Sequence, residues 1–230
     1  MTITKTDKFS ASEQGLGYIY QARLALLHLL QLPEDTAVFL EKDDDLDFID
    51  VGGGKSLASL KHKAVGDRLA DLSTDFWKSV NIWLERYKRD GRSASNLQFF
   101  LFTTGTVSSG SFLARLLPYK SVPSGDLETL TEQANASLAK SRSQLIAPIT
   151  ASFNELSEPE KQDFLERILI LDGSPRIDDI PSIIRDKHMR SIRREHREFV
   201  FERLEGWWTD AVIMQLTRAH AEGIFGYEVS

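Results

Sequence analysis

Polar and apolar positions change period several times along the chain, and each change marks an element. Residues 18–32, YIYQARLALLHLLQL, are apolar on nearly all sides at helical spacing, the pattern of a buried helix. Ser10 or Ser12 opens it, Ser10 with Glu13 fitting a capping box, and Pro33 and Asp35 end it. The period then shortens to two. Ala37–Glu41 predicts a strand with Phe39 and Glu41 on one face and Val38 and Leu40 on the other. After a polar turn at Lys42–Asp44, Asp45–Val51 predicts a second strand, with Asp45, Asp47 and Ile49 on one face. A turn at Gly52–Gly54 leads to a third, Ser56–Lys63, in which Leu57, Ser59, Lys61 and Lys63 share a face.

Helical spacing returns at Asp71–Lys88, where Ser73 is a good N-cap and Phe76, Trp77, Val80, Trp83, Leu84 and Tyr87 recur before Gly91 stops the helix. Asn96–Thr104, NLQFFLFTT, is apolar without alternation and predicts a central strand covered on both faces. The order α-β-β-β-α-β predicts an α/β core with a mixed sheet over residues 1–110. Residues 111–230 read as a helical region available for partner or nucleic-acid contacts. In it Asp126–Ser141 is a helix candidate, Ser157-Glu158-Pro159-Glu160 starts a helix leading into FLERILIL, Ile183–Leu204 is a charged helix, and Trp207–Ala221 is another, started after Gly206. The tail EGIFGYEVS reads as the start of something further, as in the N-terminal part of a longer protein.

Composition narrows the classes. The 230 residues are 41% hydrophobic and 27% charged, enough to bury a core. There is no cysteine, which excludes disulfides, Cys-ligated zinc and thiol catalysis. No apolar run approaches the roughly 20 residues of a membrane helix, and no signal core precedes residue 16, so a cytoplasmic protein is the simplest reading. The net charge of −6 argues against a protein that coats nucleic acid, while leaving room for a local basic groove.

The chemistry concentrates in residues 37–63. Glu41 ends the first strand, Asp45 starts the second, and Ser59 and Lys61 point the same way from the third. Phosphodiester hydrolysis needs a deprotonated water and neutralised charge on phosphorus. Mg²⁺ held by one or two carboxylates supplies much of this, with a lysine beside it. The competing readings are structural. Lys61 and Lys63 could guard a sheet edge. Asp43 and Asp44 read as solvent-facing turn residues, and His62 as packed or solvent-facing on the opposite face. Gly52-Gly53-Gly54-Lys55-Ser56 is not a phosphate loop, since Ile49 stands where a glycine is needed and a strand follows. The basic segment Arg185–Arg197, with Arg190, Arg193 and Arg194, reads either as a solvated helix face or as a phosphate-contact helix.

These residues carry a resemblance. The element order, the aspartate of the second strand and the lysine of the third resemble the PD-(D/E)xK nuclease core. Gly17–Gln21 (GYIYQ), Phe39–Leu46 (FLEKDDDL), Ser59–Lys63 (SLKHK) and Leu72–Lys78 (LSTDFWK) resemble the N-terminal double-stranded DNA endonuclease domain of bacterial anti-phage defence proteins, among them nucleotide-signalled effectors and ABC-three-component systems. The resemblance covers about the first half of the chain. It implies an Mg²⁺- or Mn²⁺-dependent deoxyribonuclease in which Asp45 binds metal and Lys61 is the catalytic lysine. Glu41 is then an additional acid, Gln21 a supporting polar residue, and the Leu60 carbonyl a further metal ligand. DNA is the implied substrate, with Lys63, Arg190, Arg193 and Arg194 as its contacts, and a defence-system partner such as an ATPase or a homo-oligomer fits the same reading. Ser59 departs from the pattern, which has Glu, Asp or Gln there. Either Glu41 compensates, the register is Lys61-x-Lys63, or the site is weakened. The last case defines the alternative: a degenerate nuclease-fold module for nucleic-acid binding or protein assembly.

Overall fold

The computed structural model describes residues 11–119, 129–218 and 222–230. In chain order the elements are α1 (Ala11–Leu29), β1 (Ala37–Leu40), β2 (Leu46–Ile49), β3 (Lys55–Lys61), β4 (Arg68–Leu69), α2 (Thr74–Arg89), β5 (Leu97–Thr103), β6 (Thr106–Val107), α3 (Leu130–Lys140), α4 (Ala147–Asn154), α5 (Glu158–Glu166), β7 (Ile168–Leu171), α6 (Ile180–Lys187), α7 (Arg197–Thr217) and β8 (Ile224–Phe225). The protein is a mixed α/β fold, and the expected order α-β-β-β-α-β holds apart from the two-residue β4. The chain forms two compact units, residues 1–41 with 175–230, and residues 42–174.

In the second unit the strands run in the order β7-β5-β3-β2. β2 is antiparallel to β3, while β3–β5 and β5–β7 are parallel, so this part of the sheet is mixed. Parallel neighbours need a covered crossover. Here α2 is that crossover between β3 and β5, and its apolar stripe explains why it packs down. Phe76, Trp77, Val80, Trp83, Leu84 and Tyr87 are fully buried, in one core with Leu57, Phe99, Leu101, Phe164, Ile168 and Ile170. Trp83 stacks on Phe99 at 5.5 Å, and Phe99 meets Phe164 at 5.4 Å. Ser73 does stand at the N-cap of α2, although its hydroxyl makes no capping bond, and Gly91, at φ 104°, takes the left-handed turn that follows the helix. Gly53 does the same service in the β2–β3 hairpin at φ 79°.

Several expectations are corrected. The segment FLERILIL is not one helix. The capping box of Ser157 and Glu160 does start α5, but Ile168–Leu171 leaves it to pair with β5. A β-branched, apolar tetrapeptide satisfies a parallel ladder as well as a helix, and the open edge of β5 decides. Ile183–Leu204 is likewise interrupted: α6 ends at Lys187 and α7 begins at Arg197. Gly206 starts nothing, because α7 runs through it. The Trp208 indole donates to Ala22 O at 2.8 Å, which holds the following turn to α1 despite the glycine. Ser10 and residues 126–128 of the helix candidate lie outside the described residues, as do the last residues of Trp207–Ala221.

The first unit packs α1, α6 and α7 with the antiparallel pair β1–β8, so part of the tail EGIFGYEVS pairs with β1. Arg23 bridges to Glu205 at 2.7 Å and to Ile177 O at 3.1 Å, and Tyr20 donates to Pro175 O at 3.2 Å. Burial pushes the Tyr20 phenol up to about 12 and the His28 imidazole down to about 4. The expectation of an α1 buried throughout holds only from Tyr20 on: Leu16, Tyr18 and Ile19 are exposed. Among the described residues no helix is long and apolar enough to cross a membrane.

Candidate functional site

The acidic turn is where the second unit departs most from its sequence pattern. β2 begins at Leu46, which leaves Asp43, Asp44 and Asp45 in the preceding turn rather than on a strand. Three side chains that look equivalent in sequence take three different places.

Asp43 pairs with Lys55 and with Arg86, and Arg89 stands 3.9 Å from its other oxygen. Lys55 also reaches Asp47, at 2.9 Å. Asp47 is fully buried, and burial pushes its carboxyl up to about 6 against the pull of Lys55.

Asp44, expected to face solvent, is buried under α2. Both of its oxygens lie within hydrogen-bond reach of the Ser59 hydroxyl, at 2.8 and 2.9 Å, and Oδ2 accepts from Trp83 Nε1–H at 2.6 Å. Its Oδ1 also accepts from the Asp45 N–H at 2.9 Å. Burial and the neighbouring Asp45 charge raise its carboxyl above the usual range, while the three donors oppose them. The reason the solvent-facing reading fails is specific: the turn folds back beneath Trp83, whose indole N–H needs an acceptor inside the core.

Asp45 alone turns to the lysine. Its Oδ2 accepts from the Leu60 N–H at 2.6 Å and lies 3.9 Å from Lys61 Nζ, and each of these two side chains keeps about a quarter of its surface in water. Sequence reasoning paired these two, and the structure brings them together. β3 pairs with β5 as far as Lys61 but with β2 only as far as Ala58, so Lys61 extends past the end of β2 on the edge where Asp45 takes the Leu60 N–H. An extended residue points its N–H and C=O to the same side of a strand. The Leu60 N–H faces Asp45, so the Leu60 carbonyl lies on that edge too, while the Lys61 carbonyl turns the other way to accept from Thr104 N.

Ser59, the departure from the motif, is fully buried. It stands where the expected register puts it, two residues before Lys61, but it is spent on Asp44. Lys63 pairs with Asp75 in the first turn of α2, and its N–H donates to Thr104 Oγ1 at 2.7 Å. His62 is exposed. Sequence reasoning missed Trp83 as a polar partner: its helical spacing marked it as core, and nothing in that spacing reveals where an indole N–H points.

Glu41 and Gln21 belong to the first unit. Glu41 directly follows β1 in the left-handed region at φ 53°, and Gln21 is half-buried in α1. Arg190, Arg193 and Arg194 are exposed between α6 and α7; Arg190 Nε donates to Asp186 O at 2.9 Å.

The donor set of the second unit sets what ion it could take. No group of three or more acidic or histidine side chains is arranged around a common metal position among the described residues. One carboxylate, Asp45, and one carbonyl, Leu60, on the same strand edge fit a hard cation that keeps most of its waters, as Mg²⁺ does.

No family model matches the chain, and no curated protein does. Among solved structures the chain is similar to a Moraxella osloensis protein described as a Cap4 SAVED/CARF-domain containing receptor, at 16% identity and a TM-score of 0.48. The match takes in 86% of this chain and 43% of that one, so this chain spans less than half the length of the receptor.

Proposed function

We propose that the second unit carries the catalytic edge of a metal-dependent DNA endonuclease acting in bacterial anti-phage defence. One observation carries the reading: Lys61 Nζ stands 3.9 Å from an Asp45 oxygen that the Leu60 N–H holds in place. The motif resemblance of residues 17–78 supplies the reaction class.

In this reading Asp45 and the Leu60 carbonyl would hold Mg²⁺ or Mn²⁺. When bound, the ion supplies an acidified water and charge neutralisation at phosphorus. Lys61 directs its ammonium at the attacking water and the phosphate oxygens, where negative charge grows as the bond to phosphorus forms. With an Asp45 oxygen 3.9 Å from its Nζ, Lys61 acts in this reading as an electrostatic group.

The test uses the purified chain, supercoiled plasmid and Mg²⁺ or Mn²⁺. Cleavage is expected to fall about 10²- to 10³-fold in Lys61→Ala, the scale of one lost electrostatic group. Cleavage by Lys61→Ala at the parent's rate would sink the proposal.

A second reading rests on Ser59. A buried hydroxyl committed to Asp44 leaves the motif one carboxylate short. That favours a nuclease-fold module without cleavage, which binds nucleic acid or a protein partner such as an ATPase. Measurable, metal-dependent cleavage by the parent chain excludes it.

A further inference from the structure

The acidic turn is wired in series. Asp47 Oδ1 accepts from the Asp44 N–H at 3.2 Å, Asp44 Oδ1 accepts from the Asp45 N–H at 2.9 Å, and Asp45 Oδ2 accepts from the Leu60 N–H at 2.6 Å. Each carboxylate fixes the backbone of the next residue in the chain of contacts. The middle one is also gripped from the helix and from β3, by Trp83 Nε1 at 2.6 Å and by the Ser59 hydroxyl. Trp83 itself cannot shift, since it is fully buried and stacked on Phe99.

We propose that Asp44 is a positioning residue for Asp45, and that Ser59 and Trp83 serve this acid instead of a metal ion. This rests on the reading of Asp45 and Lys61 as the reactive pair. Position 59 is then not a lapsed ligand. A carboxylate there would reach toward the cation. A hydroxyl there fastens the carboxylate of Asp44, which in turn sets the direction of Asp45. The three donors of Asp44 belong to a helix, a strand and the turn, so one side chain fixes the angle of the turn against both.

The deciding measurement does not need activity. The Leu60 amide reports the Asp45 carboxylate directly, and Leu57 in the same strand reports global opening. Amide exchange in ¹⁵N-labelled chain is compared for the parent, Asp44→Asn and the milder Trp83→Phe, which keeps the stacked ring but lacks the N–H. The expected result is faster exchange at Leu60 by about tenfold or more relative to Leu57, the scale of one hydrogen bond to a charged acceptor. Equal acceleration at both amides, or no change at Leu60, overturns the proposal and leaves Asp44 a stabilising residue only. The two failures stay distinct. A parent that never cuts plasmid removes the nuclease reading without touching the exchange result. In a parent that does cut, unchanged exchange at Leu60 in Asp44→Asn removes the positioning role without touching the nuclease reading.

Discussion

β3 carries an aspartate–lysine pair at each end, and the two ends are built for opposite purposes. At one end Lys55 is enclosed. Asp43 and Asp47 both contact it, Arg86 and Arg89 converge on Asp43, and Asp47 is sealed from water. Burial works against the Lys55 charge, but the hydrogen bonds it donates to Asp43 and Asp47 outweigh it and hold its pKa above the ordinary lysine value. At the other end Lys61 faces a single aspartate across 3.9 Å, with water reaching both. Proximity of acid and lysine therefore does not identify a reactive site by itself. What separates the two is how many charged partners surround each lysine and how much water reaches it.

The largest expected effect is at the closed end. Lys55→Ala strands the fully buried Asp47, while Asp43 keeps Arg86 and Arg89, and should cost about 3–5 kcal/mol in urea unfolding; Lys61→Ala, which releases a partly solvated pair, should cost less than about 1 kcal/mol. Activity should follow the reverse order, with Lys61→Ala losing cleavage at nearly full stability. Equal stability losses at both ends would dissolve the comparison, and with it the claim that Lys61 is held available for chemistry.

The fold was legible in the sequence because it follows from local periodicity, whereas the Asp45–Lys61 pairing was read from the motif resemblance and is made from a turn, not from a strand face. Alternation sets strand faces, and an x-x-Lys spacing sets which residues share one. The Asp43–Asp44–Asp45 turn was not legible. Three identical side chains in a row carry no periodic signal, and their fates depend on Trp83, Arg86 and Lys55, which are 12 to 43 positions away in the chain. β7 was missed for a similar reason. ILIL has no preference strong enough to override the helix start at Ser157, and only the free edge of β5 recruits it as a strand. The break between α6 and α7 was hidden because the charged pattern runs across it without a proline or glycine to mark the stop.

Ser59→Glu sharpens the contrast from the middle of the strand. From motif reasoning this change should restore a metal-binding carboxylate. The packing predicts otherwise, because residue 59 is sealed and its hydroxyl touches both Asp44 oxygens. A second carboxylate there meets the first without a counter-charge. The expected outcome is a loss of about 2–4 kcal/mol in stability with no gain in cleavage. A variant that folds at parental stability and cuts faster would show that position 59 still belongs to the metal edge.

The smallest effect expected is a dependence of stability on pH, and it isolates the closed end. Burial is the main cause that takes the Asp47 carboxyl from 3.8 to about 6, with Asp43 adding to it and Lys55 opposing. A folded value above the unfolded one means that the native chain keeps a proton between these limits that the unfolded chain has lost. The stabilisation is then complete below about pH 4 and drains away as pH rises through about 6. Asp47→Asn carries a neutral group at every pH and lacks that loss. Its stability relative to the parent should rise between pH 4 and 7, by at most about 2 kcal/mol given the relaxation that softens buried charges. Urea midpoints at unit pH steps make the measurement. Parallel curves for the two proteins would mean that Lys55 already holds Asp47 ionised throughout. The closed end would then differ from the open one in its depth and in the number of its partners, and not in the protonation of its acid.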